Sequence, residues 1–276
     1  MSIADQNYQK LIRRVLETGW SNEGQQVRTK WQDGTPAYTK AVFFESAVYD
    51  LSQEFPIHTL RPTAFKSCIE EILWIWQIKS NNIHDLRPKI WDQWADEEGS
   101  IGKAYGYQLR QKHDYKDGKY DQVDRILSYL KNDPCNRGML TNLYNHAELN
   151  EMRLRPCVYG CNFDVTEDRL NLLVNQRSAD LITAGGWNLT QYAVLAHMFA
   201  QASGLKPGIL AYVIANAHVY DRHMDFAKDL ATRPTYPAPK FTIDTDVKDF
   251  YSFTPDSFKL ENYQTGPQIK DIPVAI

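Results

Sequence analysis

A nucleophile, a proton carrier and an anion clamp are the parts from which most enzyme sites are made, and this chain offers candidates for each. Its four cysteines are Cys68, Cys135, Cys157 and Cys161. A thiol attacks only where nearby positive charge favours the thiolate, and is otherwise a small buried hydrophobe. Cys157 follows Pro156 at the start of an apolar run, yet spacing alone does not separate it from the other three. Arg28, Arg61, Arg137 and Arg177 lie beside loop or strand-end signals, and arginine suits bidentate phosphate contact. Taken singly, each reads as a solvated surface charge. Arg177-Ser178 stands apart, because it ends an apolar strand ahead of a Gly185-Gly186 turn, which predicts a buried, hydrogen-bonded placement. Asn188, at the mouth of a long helix, reads as its N-cap. His218 and Tyr220 alternate at a strand end and read as a satisfied core pair. Glu70 and Glu71 interrupt a greasy segment; one can face solvent, but two adjacent ones do so less easily.

The elements that must carry these groups follow from periodicity. Tyr8, Leu11, Ile12, Val15 and Leu16 make an amphipathic helix stopped near Gly19. Ala41 to Leu51 reads as a strand. Pro62 to about Lys79 reads as a helix with proline in its first turn. Asp121 to Lys131 is a further amphipathic helix, stopped by Asn132-Asp133-Pro134. The second half predicts strands at Val158–Val165, Leu170–Gln176 and Ile209–Ala215. A long helix, Leu189–Ala202, lies between the last two and is closed by Gly204. Another helix follows His218 and ends before Pro234. The tail from Tyr236, rich in proline and aromatics, reads as irregular chain.

Composition narrows the classes. The 276 residues carry 31 basic and 34 acidic side chains, a net charge of −3. At roughly 150 residues per domain the length allows two domains. With no linker and no internal repeat, residues 1–276 read instead as one α+β domain. The charge balance argues against a protein that coats nucleic acid. No apolar run approaches the ~18 residues that span a bilayer. The N-terminus lacks the apolar core of a signal peptide, so a cytoplasmic location is expected. Cys157 and Cys161 have no second Cys/His pair of suitable spacing, so no metal is expected. H-E-x-x-H, Walker A and G-x-G-x-x-G are all missing.

Several strings in order point further: FPIHTLR, EEILWIWQ, IWDQWADEEGSIGKAYGYQ, DQVDRILSYLKNDP, RPCVYGCNFDV, NQRSADLITAGGWNLTQYAVLAHMFAQASGLKPG, NAHVYDRH and the closing IPVAI. Together, from about Tyr8 to Ile276, the chain resembles the folate-dependent thymidylate synthases. The resemblance implies a twisted mixed β-sheet covered by helices, packed sheet to sheet in a homodimer. It implies methylation of dUMP to dTMP, with 5,10-methylenetetrahydrofolate giving both the one-carbon unit and the hydride. By position Cys157 is the nucleophile that adds at C6 of uracil and makes C5 an enolate. Arg177 binds phosphate and favours the thiolate. Asn188 reads the N3–O4 edge of uracil. Glu71 organises water and protons near O4, and Tyr105 serves loss of the C5 proton. Arg28, Arg137, Gln176 and Ser178 join the substrate set, and His218 and Tyr220 hold the ribose 3′-hydroxyl. Asp180, Arg61, Trp91 and Trp94 fall on the folate side. Ile276 closes over the ligands and excludes water.

The chain also departs from that family's pattern. An adjacent Arg-Arg lent across the dimer is here Arg137-Gly138. The loop before the uracil-binding Asn, often Leu-Gly-x-Pro-Phe-Asn, is Ala184-Gly185-Gly186-Trp187-Asn188, which predicts extra flexibility. Asn216 stands where Asp is common, Val158 where His is common, and Arg61-Pro62 replaces a more basic pair. Two other readings share the scaffold. One is a pyrimidine-nucleotide hydroxymethylase, in which water quenches the methylene intermediate. The other is a catalytically weak paralogue that only binds nucleotide or nucleic acid. The missing arginine withdraws one charge-assisted contact, worth ~1.5–3 kcal/mol. Gly138→Arg is therefore expected to lower the KM for the nucleotide in steady-state assays, and an unchanged KM would show that position 138 does not reach the phosphate.

Overall fold

The computed structural model describes residues 2–276. Helix α1 (Ile3–Thr18) is capped by Ser2, whose hydroxyl accepts from the Asp5 amide, and buries Tyr8, Leu11, Ile12 and Val15 along one stripe. Strands β1 (Trp20–Ser21) and β2 (Thr39–Asp50) follow. Helix α2 (Phe65–Leu73) passes directly into a π-helical segment, Trp74–Ile78, that stops at Lys79 in a left-handed conformation. The helix begins at Phe65 rather than Pro62. Arg61 is tied to the Ile182 carbonyl, and the Thr63 amide donates to Tyr263 Oη, which engages the preceding chain outside the helix.

The middle of the chain adds α3 (Gly106–Arg110), a small hairpin of β3 (His113–Tyr115) and β4 (Gly118–Tyr120), α4 (Gln122–Asn132) and β5 (Leu140–Asn142). Asp121 caps α4 by accepting from the Asp124 amide at 2.9 Å. Then come β6 (Val158–Thr166), β7 (Arg169–Asp180), α5 (Trp187–Ala202), β8 (Lys206–Tyr220) and α6 (Met224–Thr232). Both β7 and β8 run past their expected ends, so Arg177, Ser178 and Asp180 lie inside a strand. The tail is not wholly irregular. It contributes β9 (Lys240–Ile243) paired antiparallel with β10 (Phe258–Glu261), because Phe241 stacks at 4.2 Å on Phe55 and anchors this segment to the core.

The main sheet has the order β1-β2-β8-β7-β6-β5. β7 and β8 are parallel and the other neighbours antiparallel, so the sheet is mixed. A parallel neighbour needs a crossover, and α5 supplies it. Its residues are apolar on nearly every side, as expected of a helix enclosed by protein. One core joins α2, α5 and the inner face of the sheet around Trp74, Trp76, Phe199 and Phe250; a second lies beneath α1 and α6. The outer face of β2 and β6 and the edge strand β5 leave Phe43 (81% exposed), Val48, Leu140 and Tyr159 in solvent.

Phe199 is fully buried, with Trp76, Phe163 and Phe250 as ring neighbours. Phe199→Ala should therefore cost about 3–5 kcal/mol, read as a lowered midpoint in urea unfolding.

Candidate active site

Cys157 immediately precedes β6, opposite Arg177 of β7. The Arg177 amide donates to the Cys157 carbonyl at 2.8 Å. Its guanidinium donates through Nε to the Pro156 carbonyl at 2.9 Å and through Nη2 to the Arg155 carbonyl at 2.8 Å. The cation is thus fastened to the segment that delivers the thiol. From the other side, the Cys157 amide donates to Tyr105 Oη at 3.1 Å. Tyr105 has φ of 47°, a backbone state that an aromatic residue adopts only when its surroundings enforce it. Burial pushes the Cys157 thiol up, while Arg177 and the Tyr105 hydrogen bond pull it back without cancelling the effect. Burial likewise keeps the Tyr105 phenol well above its usual range.

Glu71, on the buried side of α2, is the second pole. Oε1 accepts from Trp91 Nε1 at 2.7 Å; Oε2 accepts from Gln191 Nε2 at 2.8 Å and from Trp187 Nε1. Burial raises its carboxyl pKa, and these donors oppose the rise. Glu70, its neighbour, pairs with Arg87 instead. The network runs on. Asn188 Nδ2 donates to Gln191 Oε1 at 3.1 Å, Gln176 Nε2 donates to Asn188 Oδ1 at 3.3 Å, and Tyr212 Oη donates to Gln176 Oε1 at 2.6 Å. The Trp91 ring lies 5.1 Å from that of Tyr105, which joins this chain of amides to the thiol pole.

Register places the remaining groups. Parallel pairing sets Ser178 beside Asn216 and Asp180 beside His218. His218 Nδ1 bonds Asn216 Oδ1 at 2.9 Å, so the neutral amide takes the place of a charge there. Burial lowers the His218 pKa, partly offset by Asp180. Asp180 accepts from the Ile182 and Thr183 amides at 2.9 and 3.2 Å and from the Thr183 hydroxyl. The His218 and Tyr220 rings meet edge to face at 5.2 Å, and Arg28 and Cys157 both act electrostatically on Tyr220. Trp94 meets Trp91 at 5.5 Å. Ile276 pairs its backbone with Lys30, at 2.8 and 2.9 Å, in the loop that carries Arg28. Arg137 is the exception: it is exposed between α4 and β5.

Two expectations are corrected. Asn188 is the second residue of α5, not its N-cap; Gly186, at φ of 97°, holds that position, and the Asn188 side chain is free to join the Gln176–Gln191 network. The Gly185-Gly186 pair is not a loose spot either. A Cβ on Gly185 would meet the Leu181 carbonyl and the Tyr8 ring, and one on Gly186 would run into His58, so the glycines permit close packing. Sequence reading also missed Trp187, Gln191 and Tyr212. The only signals for them were an indole next to Asn188 and an amide one turn beyond it.

Among the described residues, no three His, Cys, Asp or Glu side chains gather as a metal site, and no helix is long and apolar enough to cross a membrane. Residues 6–276 match the sequence profile of the family described as thymidylate synthase. A thymidylate synthase of Bacillus licheniformis is 44% identical over 274 residues, with 98% of each chain covered. That of Clostridium beijerinckii is 37% identical over 275 residues, again with 98% of each covered. The solved thermostable thymidylate synthase A from Bacillus subtilis superposes with a TM-score of 0.94 at 42% identity, covering 99% of each chain.

The thiol environment sets a pH dependence. Because burial outweighs Arg177, labelling of Cys157 by iodoacetamide should keep accelerating above pH ~8.5, the ordinary thiol range. Arg177→Gln, which removes the cation that favours thiolate, should move the curve higher still. A wild-type curve centred below that range, read by peptide mass spectrometry, would show instead that Arg177 outweighs burial at Cys157.

Proposed function

The chain belongs to the thymidylate synthase family, and on that premise we propose how its own residues divide the reaction. The activity is reductive methylation of dUMP to dTMP, with 5,10-methylenetetrahydrofolate as co-substrate. C5 of uracil is a poor nucleophile. Cys157 Sγ attacks C6, the C5=C6 π electrons move toward O4, and C5 becomes able to attack the methylene carbon. The thiol's proton has to leave for that step. Arg177 favours the resulting thiolate and, with Ser178 and Arg28, binds the phosphate.

Asn188 presents its amide to the N3–O4 edge of uracil, aligned by Gln176 and Gln191. Glu71 stabilises O4 through water and carries protons, and burial raises its carboxyl pKa against three hydrogen-bond donors. Tyr105 assists loss of the C5 proton, which frees the electrons that expel the folate nitrogen. The exocyclic methylene so formed accepts hydride from the expelled tetrahydrofolate, which leaves as dihydrofolate, and as the C5=C6 bond returns Cys157 departs as thiolate. His218 and Tyr220 hold the ribose hydroxyl. Trp91, Trp94, Asp180 and Arg61 line the folate side, and Ile276 closes over both ligands to exclude water.

The working unit we propose is a homodimer of one-domain protomers spanning residues 1–276, located in the cytoplasm. The exposed Phe43, Val48 and Tyr159 on the sheet's outer face support it, since an apolar face of this kind marks an interface. Arg137, exposed between α4 and β5, reaches the phosphate site of the partner.

The observation that carries the reading is the hydrogen-bond chain from Asn188 through Gln191 to Glu71, ending on the Trp91 ring beside Tyr105 and Cys157. Purified enzyme given dUMP and methylenetetrahydrofolate should form dTMP and dihydrofolate in equal amounts. A 5-hydroxymethyl product with tetrahydrofolate would overturn the reading. Cys157→Ser should abolish turnover. Trp187→Phe removes one hydrogen bond to a charged group, worth ~1.5–3 kcal/mol, and should lower kcat by roughly 10- to 100-fold.

A further inference from the structure

We propose that His58, held by the buried Asp5 of α1, is a positioning residue that fixes loop 184–188 and so aims Asn188 and Trp187. Asp5 is fully buried in the first turn of α1. Its carboxylate accepts from the Thr59 amide at 2.9 Å, from the Thr59 hydroxyl and from His58 Nδ1 at 3.4 Å. The segment is pinned from other sides as well. Tyr263 Oη donates to the His58 carbonyl at 2.7 Å, the Gly266 amide to the Thr59 carbonyl at 2.8 Å, and the Tyr236 amide to Thr59 Oγ1 at 2.9 Å. His58 therefore has little freedom to retreat from what it touches.

What it touches is Gly186. The Cδ2–Nε2 edge of the imidazole occupies the space that any side chain at position 186 would need. Gly186 is the N-cap of α5 and has a left-handed backbone that glycine alone adopts cheaply. Such a residue restrains nothing by itself, so the register of the loop has to be set from outside. Tyr8, one turn after Asp5, completes the support: its ring meets His58 at 4.3 Å, and its hydroxyl donates to the Leu181 carbonyl at the loop's entrance. The two residues that follow Gly186 are the donor to Glu71 and the amide bonded to Gln176. His58 also forms a common wall between two cavities, of about 70 and 170 Å³. One borders Asn188 and Gln176; the other borders Trp187 and Arg61. Withdrawing the ring removes one of the walls the cavities share, beside Tyr8 and Gly185, and takes from Gly186 the group packed on it.

This inference rests on the assignment of Asn188 to the uracil edge, so its test includes a readout that needs no turnover. Four variants separate ring, bond and bulk stability. His58→Ala withdraws both ring and bond. His58→Asn keeps a donor for Asp5 and guards against a failure to fold. His58→Phe keeps an aromatic ring without the Asp5 bond. Val15→Ala, in the core beneath α1 and lining neither cavity, is the control for destabilisation alone. Hydrogen exchange of the amides in residues 184–191 and steady-state KM for dUMP are measured on each full-length variant. Positioning predicts about tenfold faster exchange and about tenfold higher KM, equivalent to ~1.4 kcal/mol, for His58→Ala and His58→Asn. His58→Phe, whose ring Asp5 no longer holds, should recover only part of each loss, and Val15→Ala should leave both within about twofold. Unchanged exchange in His58→Ala or His58→Asn, or the same loss in Val15→Ala, would overturn the proposal. A wild-type enzyme that ignores dUMP would instead overturn the role of Asn188 and leave the exchange result standing.

Discussion

Glu71 is a carboxylate enclosed by protein, and the site is organised around the need to satisfy it. An unpaired buried charge costs several kcal/mol, and among the described residues no cation is bonded to this one. It is met instead by three neutral donors, two indoles and an amide. They come from different places: Trp91 from the long connection after the π-helical segment, Trp187 and Gln191 from the first turns of α5. Satisfying one carboxylate therefore locks α2, the Trp91 segment and α5 together. A side effect is chemical, because burial holds the carboxyl pKa up where a proton carrier is useful.

The sheet solves a different problem, that of bringing the Cys157 thiol, the Arg177 cation and the His218–Tyr220 pair from distant parts of the chain. Antiparallel β6 and β7 put Cys157 against Arg177. Parallel β7 and β8 put Asp180 beside His218, with α5 forced into the crossover between them. The same crossover carries Asn188 back over the end of the sheet. Helix α1 backs the resulting loop through Tyr8 and the Asp5–His58 pair, so a helix distant in sequence bears on where the Asn188 amide sits.

Much of this was legible in sequence. The stripe of Tyr8, Leu11, Ile12 and Val15 gave α1, and the apolar runs gave β6, β7 and β8, though each strand runs further because neighbour pairing continues through polar residues such as Ser178 and Asp180. The family motifs named the polar residues that the fold brings together. What sequence hid were contacts between distant segments. Gly185-Gly186 looks flexible until Tyr8 and His58 are seen packed on it. Trp187 looks like core because an indole N–H shows no partner in a string. Asn188 fits an N-cap by type, and only the backbone of Gly186 displaces it by two positions. The tail read as irregular because its strands are short and far apart, and they exist because Phe241 is needed against Phe55.

If the satisfied carboxylate is the centre of the site, it should matter for proton movement more than for binding. Glu71→Gln keeps the volume and removes the titratable oxygen. The most direct measurement is therefore kcat for this variant with dUMP and methylenetetrahydrofolate, alongside its dUMP affinity by calorimetry. A fall of about 10²–10⁴-fold in kcat, the usual range for general acid–base catalysis, with affinity within a few-fold, is the expected result. A kcat within about threefold of wild type would contradict the role given to Glu71.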